Sequence, residues 1–319
     1  MTGEAHAITQ GRTEELEALR EPLAVSLGVA AESLRVTLAY RGALPDSTSI
    51  YLANTARGDV LGAVLWSPDA VPDAVALSMA KAEAASALLP REFASRVLMA
   101  RAQGKVAGRS FALVPYCKPL ARMRPLWWLQ RPTVREVVLE WLRGVCLATA
   151  RPVPTADVAA AFRQPLASLA ATEAVTPGVR EIARVALERL ADARWEPRRV
   201  LMHGDLWQGN LMVRAPSGPA DLDWGRRVCL IDWGGSVTGG YAMFDLVRAA
   251  DALRVAPLRL QREVLAHCRA LGCESADAAS LLAAALAHVH SHLGDFPLGR
   301  FVEMAEACRQ TLHRASITS

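Results

Sequence analysis

Three residues in the C-terminal half have the types and spacing that phosphoryl transfer needs. Asp205 and Asn210 lie five residues apart in the stretch VLMHGDLWQGNLMV (Val200 to Val213), and Asp232 follows in VCLIDWGG (Val228 to Gly235). Moving a phosphoryl group from a nucleotide requires a carboxylate that orients and deprotonates the attacking hydroxyl. It also requires an amide oxygen and a second carboxylate to hold the magnesium ions that bridge the phosphates. Asp205 and Asn210 share one loop, while Asp232 ends the apolar run Val228 to Ile231, whose β pattern lets it pair back beside Leu211 to Val213.

The pattern H-G-D-x-x-x-x-N followed by I-D resembles the aminoglycoside phosphotransferase and choline kinase superfamily, the small-molecule branch of the protein-kinase-like fold. The resemblance implies an α+β, two-lobe fold. Residues 1–116 would form a small antiparallel-sheet nucleotide-binding lobe, and residues 117–319 a larger, mostly helical lobe for catalysis and acceptor binding. It implies Asp205 as catalytic base, Asn210 as a magnesium ligand and Asp232 as the principal magnesium ligand, with His203 and Asp245 supporting the loop. Mg²⁺ is the implied cofactor, ATP the co-substrate, and a hydroxyl of a small molecule or sugar the acceptor. The wording HGDLWQGN is also similar to ketosamine and fructosamine kinases, which carry FDPA where this chain has IDWG. A lipopolysaccharide-core sugar kinase and a non-catalytic nucleotide-binding pseudokinase remain as alternatives.

The elements that must position these residues can be read along the chain. Leu34 to Tyr40, Ile50 to Asn54 and Val60 to Trp66 are short β-like runs, read as an antiparallel meander. The first turn, Arg41 to Ser49, lies where the family covers the phosphates. With one glycine and the hydroxyl residues Ser47, Thr48 and Ser49, its grip would come from backbone N–H groups and hydroxyls. Asp73 to Leu89 is an alanine-rich helical run ended by Pro90, in the place of the helix that carries the acidic partner of the family's nucleotide lysine; Glu83 is the candidate. The third strand departs from the family, because it holds no lysine, and the chain's lysines are Lys81, Lys105 and Lys118. Lys81 and Glu83 diverge by about 200° on one helix and cannot pair there. The cationic role falls to Lys81 from another direction, to an arginine, or to the loop alone.

Val97 to Leu98 and Ser110 to Tyr116 read as the last two strands of the small lobe, and Tyr116 and Cys117 fall where the family's chain crosses and offers backbone groups to adenine. Beyond, Thr133 to Ala148, Thr155 to Thr172 and Thr176 to Ala193 read as helices, the last with an N-cap followed by proline. Pro257 to Arg314 reads as helices broken at Gly272 and at Gly294 to Gly299.

Composition excludes other classes. The 319-residue chain is 52% hydrophobic and 21% charged, as a globular protein is. A net charge of +4 suits anionic ligands but is too dispersed for nucleic acid. No apolar run reaches membrane-spanning length, the polar N-terminal run lacks a signal core, and six cysteines without CxxC spacing point to reduced thiols, so a cytoplasmic protein is expected. Arg122, Arg124, Trp127, Trp128, Arg131 and Arg135 form a basic, tryptophan-rich segment, read as half-buried tryptophans with arginines reaching water, or as a peripheral membrane contact. Of the histidines in HVHSH, only His288 and His292 share a helical face, and no carboxylate sits at matching spacing for zinc.

Overall fold

The structure, a computed structural model, describes residues 16–41, 46–120, 123–216 and 223–315. Residues 42–45 of the first turn, Arg122 and the charged N-terminal run before residue 16 lie outside the described residues. In chain order the elements are α1 (residues 16–27), β1 (Leu34–Tyr40), β2 (Ser49–Thr55), β3 (Val60–Trp66), α2 (Ala74–Ala87), α3 (Arg91–Ala94), β4 (Ala102–Val106), β5 (Arg109–Val114) and β6 (Cys117–Pro119). There follow α4 (Arg124–Thr149), β7 (Arg151–Pro152), α5 (Thr155–Val158), α6 (Gln164–Ala171), α7 (Pro177–Ala191), β8 (Arg198–Met202), β9 (Leu211–Arg214), β10 (Val228–Leu230) and β11 (Val237–Gly240). Four helices complete the chain: α8 (Phe244–Ala252), α9 (Pro257–Leu271), α10 (Asp277–Ser291) and α11 (Leu298–Ala315). The architecture is α+β, a small antiparallel sheet followed by a larger helical region. Its contacts divide it into two compact units, one drawn from Met1–Ala84, Arg96–Pro119 and Met212–Gly234, the other from Ala85–Ser95, Leu120–Leu211 and Gly235–Ser319.

The first unit is organised by the period-2 alternation of its strands. Its five-stranded sheet has the order β1-β2-β3-β5-β4, antiparallel throughout. Tyr51, Ala53, Val64, Trp66, Phe111 and Leu113 point to one face and bury Leu19 and Leu23 of α1. The alternate residues Ala63, Leu65, Ala112 and Val114 point to the other face and bury Val75 and Met79 of α2. Covering both faces makes the central strands continuous apolar runs rather than half-polar ones. One expectation is corrected here. Val97 and Leu98 are not a strand of this sheet; Val97 makes an isolated parallel bridge to Leu230, and Leu98 N donates to Leu230 O at 3.1 Å. The fourth strand is Ala102–Val106, whose Gly104 and Lys105 hide it from an apolar-pattern reading. A second, three-stranded sheet of order β10-β9-β6 brings Val228–Leu230 beside Leu211–Arg214.

In the second unit α10 is buried on all sides by alanines and leucines and packs against α6 and α7. Two helices differ from their sequence reading. α4 begins at Arg124 and runs through Pro132, because the proline forfeits only one backbone bond on an exposed side of the helix. The helix expected over Thr155 to Thr172 is interrupted at Ala159–Arg163 by a π turn that buries Phe162 against Trp195 and Tyr241. α7 starts as expected, with the Thr176 hydroxyl accepting from Val179 N. Breaks fall at Gly272, in the left-handed region at φ +64°, and between α10 and α11. Among the described residues no helix is long and apolar enough to cross a membrane.

α4 and β8 are joined by one buried hydroxyl: Thr149 Oγ1 donates to Val145 O at 2.7 Å and accepts from Leu201 N at 2.9 Å. Nearby, α3 docks on α4 through the Trp141 indole, which donates to Phe93 O at 3.1 Å. A Cβ on Gly144 would overlap the Phe93 ring. Alanine there gains about 1 kcal/mol of helix propensity, against about 1–3 kcal/mol for overpacking. Gly144→Ala is therefore expected to lower stability by up to about 2 kcal/mol, read from the urea midpoint. A raised midpoint would mean that Phe93 does not fill that space.

Candidate active site

The loop after β8 is built around one buried carboxylate. Asp245, at the first turn of α8, accepts from His203 N at 2.6 Å and Gly204 N at 3.0 Å. Both donors have left the β8–β11 pairing, whose register ends with Val237 opposite Met202, so they need an acceptor from elsewhere. Asp245 thus supports the loop, as the resemblance implied. Burial pushes its carboxyl above the ordinary carboxylate range, while His203, the two N–H groups and Arg248 pull the other way. Gly204 has φ +86°, and a Cβ there would lie 2.5 Å from Gly235 O, so the chain turns here only with glycine. His203 is 1% exposed, and its Nδ1 accepts from Asp205 N at 3.4 Å.

Asp205 and Asn210 are brought together by this turn. Asn210, 6% exposed, donates its amide Nδ2 to Asp205 O at 2.7 Å and to Asp205 Oδ2 at 2.9 Å. Its backbone N–H closes the turn onto Trp207 O at 3.0 Å. The opposite carboxylate oxygen, Asp205 Oδ1, accepts from Arg248 Nη2 at 3.1 Å. Sequence reading missed Arg248. The signal was its place three residues after Asp245, which puts both side chains on one face of α8.

Asp232 and Lys81 belong to the first unit. Asp232 follows β10 in the left-handed region, at φ +62°, and the next residue, Trp233, is fully buried with its indole donating to Leu230 O at 3.3 Å. Lys81 Nζ, on α2, donates to Gly234 O at 2.5 Å. A Cβ on Gly234 would lie 3.7 Å from Asp232 Oδ1 and 4.0 Å from Ser78 Oγ, so the face of α2 bearing Ser78 and Lys81 abuts the turn that carries Asp232. Glu83 takes a different partner, accepting from Gln103 Nε2 at 3.2 Å.

The remaining candidates are spread over the first unit. Ser47 and Thr48 are half-buried ahead of β2, and Ser49 opens that strand opposite Trp66. Tyr116 precedes β6, and Cys117 opens it, paired with Arg214 of β9. Cys117 Sγ lies 3.6 Å from Cys229 Sγ. In the basic segment at the start of α4, Trp127 is half-buried but Trp128 is 67% exposed. His288 and His292 stack with ring centroids 4.3 Å apart.

Asparagine at position 245 offers one acceptor oxygen and turns an N–H₂ group on the other backbone donor. Asp245→Asn should therefore leave a buried N–H unpaired and lower stability by about 1–3 kcal/mol, measured by chemical denaturation, with a loss of phosphotransfer as the loop loosens. Wild-type stability in this variant would refute the bracing role.

A profile of the phosphotransferase enzyme family (APH) matches residues 79–281. No curated protein gives a match. Among solved structures, the apo form of a thermostable mutant of aminoglycoside phosphotransferase APH(4)-Ia is 14% identical, with 94% of this chain and 100% of that one covered at a TM-score of 0.48. Choline kinase LicA from Streptococcus pneumoniae is 15% identical, covering 92% of this chain and 97% of its own, at a TM-score of 0.49. A choline/ethanolamine kinase family protein from Mesorhizobium loti is 14% identical, covering 92% and 94%, at a TM-score of 0.47. The family match spans well over half of the sequence and includes both motifs, and the chain belongs to the phosphotransferase enzyme family.

Proposed function

We propose that this phosphotransferase moves the γ-phosphoryl group of ATP, with Mg²⁺, onto a hydroxyl of a small molecule or sugar, using Asp205 as base and Asn210 and Asp232 as metal ligands. The observation that carries the reading is the Asp205–Asn210 contact. The amide nitrogen of Asn210 is directed at two oxygens of Asp205, which leaves the Asn210 Oδ1, at the other end of the planar amide, as an acceptor. An amide oxygen and a carboxylate are the hard oxygen donors that Mg²⁺ takes, so the residues present fit the ion. When bound, Mg²⁺ would neutralise charge on the β- and γ-phosphate oxygens.

In this reading Asp205 accepts the acceptor's hydroxyl proton as that oxygen bonds to the γ-phosphorus. The bond from phosphorus to the β–γ bridging oxygen breaks, and ADP leaves. Tying Asp205 Oδ2 to Asn210 and Oδ1 to Arg248 fixes the carboxylate plane, so little reorientation is needed when the hydroxyl arrives. Lys81 is the proposed cation for the phosphates, held beside the Asp232 turn by Gly234 O. Ser47, Thr48 and Ser49 are proposed to contribute hydroxyl and N–H groups, Glu83 to buttress α2 through Gln103, and the Tyr116 and Cys117 backbone to meet the adenine edge.

Asp205→Asn should keep Mg²⁺-ATP binding while lowering phosphotransfer by about 10²- to 10⁴-fold, whereas Asp232→Ala should abolish Mg²⁺-dependent ATP binding. Calorimetry with and without Mg²⁺, beside an ADP-release assay over a panel of hydroxylated acceptors, separates the two. Near wild-type turnover in the first variant, or unchanged affinity in the second, would reassign the corresponding role.

Lys81→Ala is expected to raise the Michaelis constant for ATP and lower turnover together. A lysine that serves only to solvate α2 would change stability by no more than about 0.5 kcal/mol and leave both kinetic constants alone.

A further inference from the structure

We infer that Arg248 is an acceptor-binding residue and that the acceptor carries an anionic oxygen, a carboxylate or a phosphate, beside the hydroxyl that reacts. The inference rests on the reading of Asp205 as the base. Arg248 sits on α8 with its side chain 26% exposed, and touches Asp205, itself 46% exposed, through Nη2 alone. A guanidinium is a planar fork of five donors with no acceptor capacity. Among the described residues its one hydrogen bond is the single prong to Asp205 Oδ1. Its other neighbours satisfy no donor: the Phe244 ring lies 6.0 Å from Cζ, and Asp245 spends its oxygens on His203 N and Gly204 N. Asp251, one helical step further on α8, faces Arg314 at 3.4 Å. Nε is buried, so an acceptor whose hydroxyl reaches Asp205 comes within reach of the remaining Nη donors, which can meet only hydrogen-bond acceptors.

The electrostatics decide which oxygens. Asp205 offsets much of the Arg248 charge where the two touch, so the preference is set at the unengaged edge of the guanidinium, which holds an anionic oxygen better than a cationic group. A charge-assisted, two-pronged contact with a carboxylate or phosphate is stronger than one with a neutral hydroxyl.

The test uses the purified 319-residue chain, Mg²⁺-ATP and two matched acceptor series: gluconate, glucose and glucosamine, and glycerate, glycerol and serinol. Wild-type kcat/KM should fall in the order anionic, neutral, cationic, with the anionic member ahead of the neutral one by about 10- to 100-fold. Arg248→Met should collapse that ratio to about twofold or less, chiefly through the acceptor KM, and Arg248→Lys should retain part of it. Should Arg248→Met fail to fold, Arg248→Gln reads the same ratio. An arginine that only orients Asp205 would, when replaced, slow all acceptors in proportion and leave the ratio intact, which would overturn the inference. So would a wild-type preference for neutral or cationic members, or ATP hydrolysis with no anionic member phosphorylated. Absence of both Mg²⁺-dependent hydrolysis and transfer would instead bring down the phosphotransfer reading itself.

Discussion

Two backbone N–H groups at the end of β8 set the geometry of the loop from His203 to Asn210. The strand runs out of partners at Met202, and the next two donors, on His203 and Gly204, point into protein rather than water. An unpaired buried donor costs about 1–3 kcal/mol, so the loop is stable only where an acceptor meets both. Asp245 meets both with one carboxylate, and Gly204 turns the chain into the left-handed region against Gly235 O. Everything after that turn inherits its direction. The orientation of Asp205, and the reach of Asn210 back to it, are downstream of that carboxylate.

One helix therefore does two jobs. Asp245 at the start of α8 braces the backbone, and Arg248, three residues on, touches the side chain that the backbone presents. Because positions three apart share a helical face, any displacement of α8 would move the brace and the cation together. The helix is itself fixed by Phe244, Leu246, Val247 and Ala250, all buried. Apolar packing of α8 thus sets the distance between Arg248 and Asp205.

What could be read from the sequence follows from range. The central strands β2 and β3 were legible because both their faces are covered and they read as apolar runs between turns, and the His203 to Asn210 stretch because its residue types are forced by a tight turn. β4 was not, since the inward face of this edge strand, Ala102, Gly104 and Val106, is too small to stand out as an apolar run. α4 was read as starting after Pro132, although one missing bond does not outweigh the packing of a 26-residue helix. The π turn at Ala159–Arg163 comes from Phe162 reaching Trp195 and Tyr241, contacts that no local pattern encodes. The Arg248–Asp205 and Lys81–Gly234 contacts join residues 43 and 153 positions apart, beyond any periodicity.

The missing strand lysine has a physical account in the same terms. In β3, Ala63 and Leu65 face α2 while Val64 and Trp66 face α1, so each inward position of the strand is occupied by an apolar contact. A lysine at either face would exchange a packed side chain for a charge that must find its way out. On α2 the same charge needs no such path. Val75 and Met79 bury one stripe of the helix, and Lys81 stands off that stripe, where Gly234 O receives its ammonium. A helix that packs on the sheet with one face can offer a cation from the next. The strand is then wholly apolar, and the cation proposed for the phosphates stands on α2, beside the turn that bears Asp232.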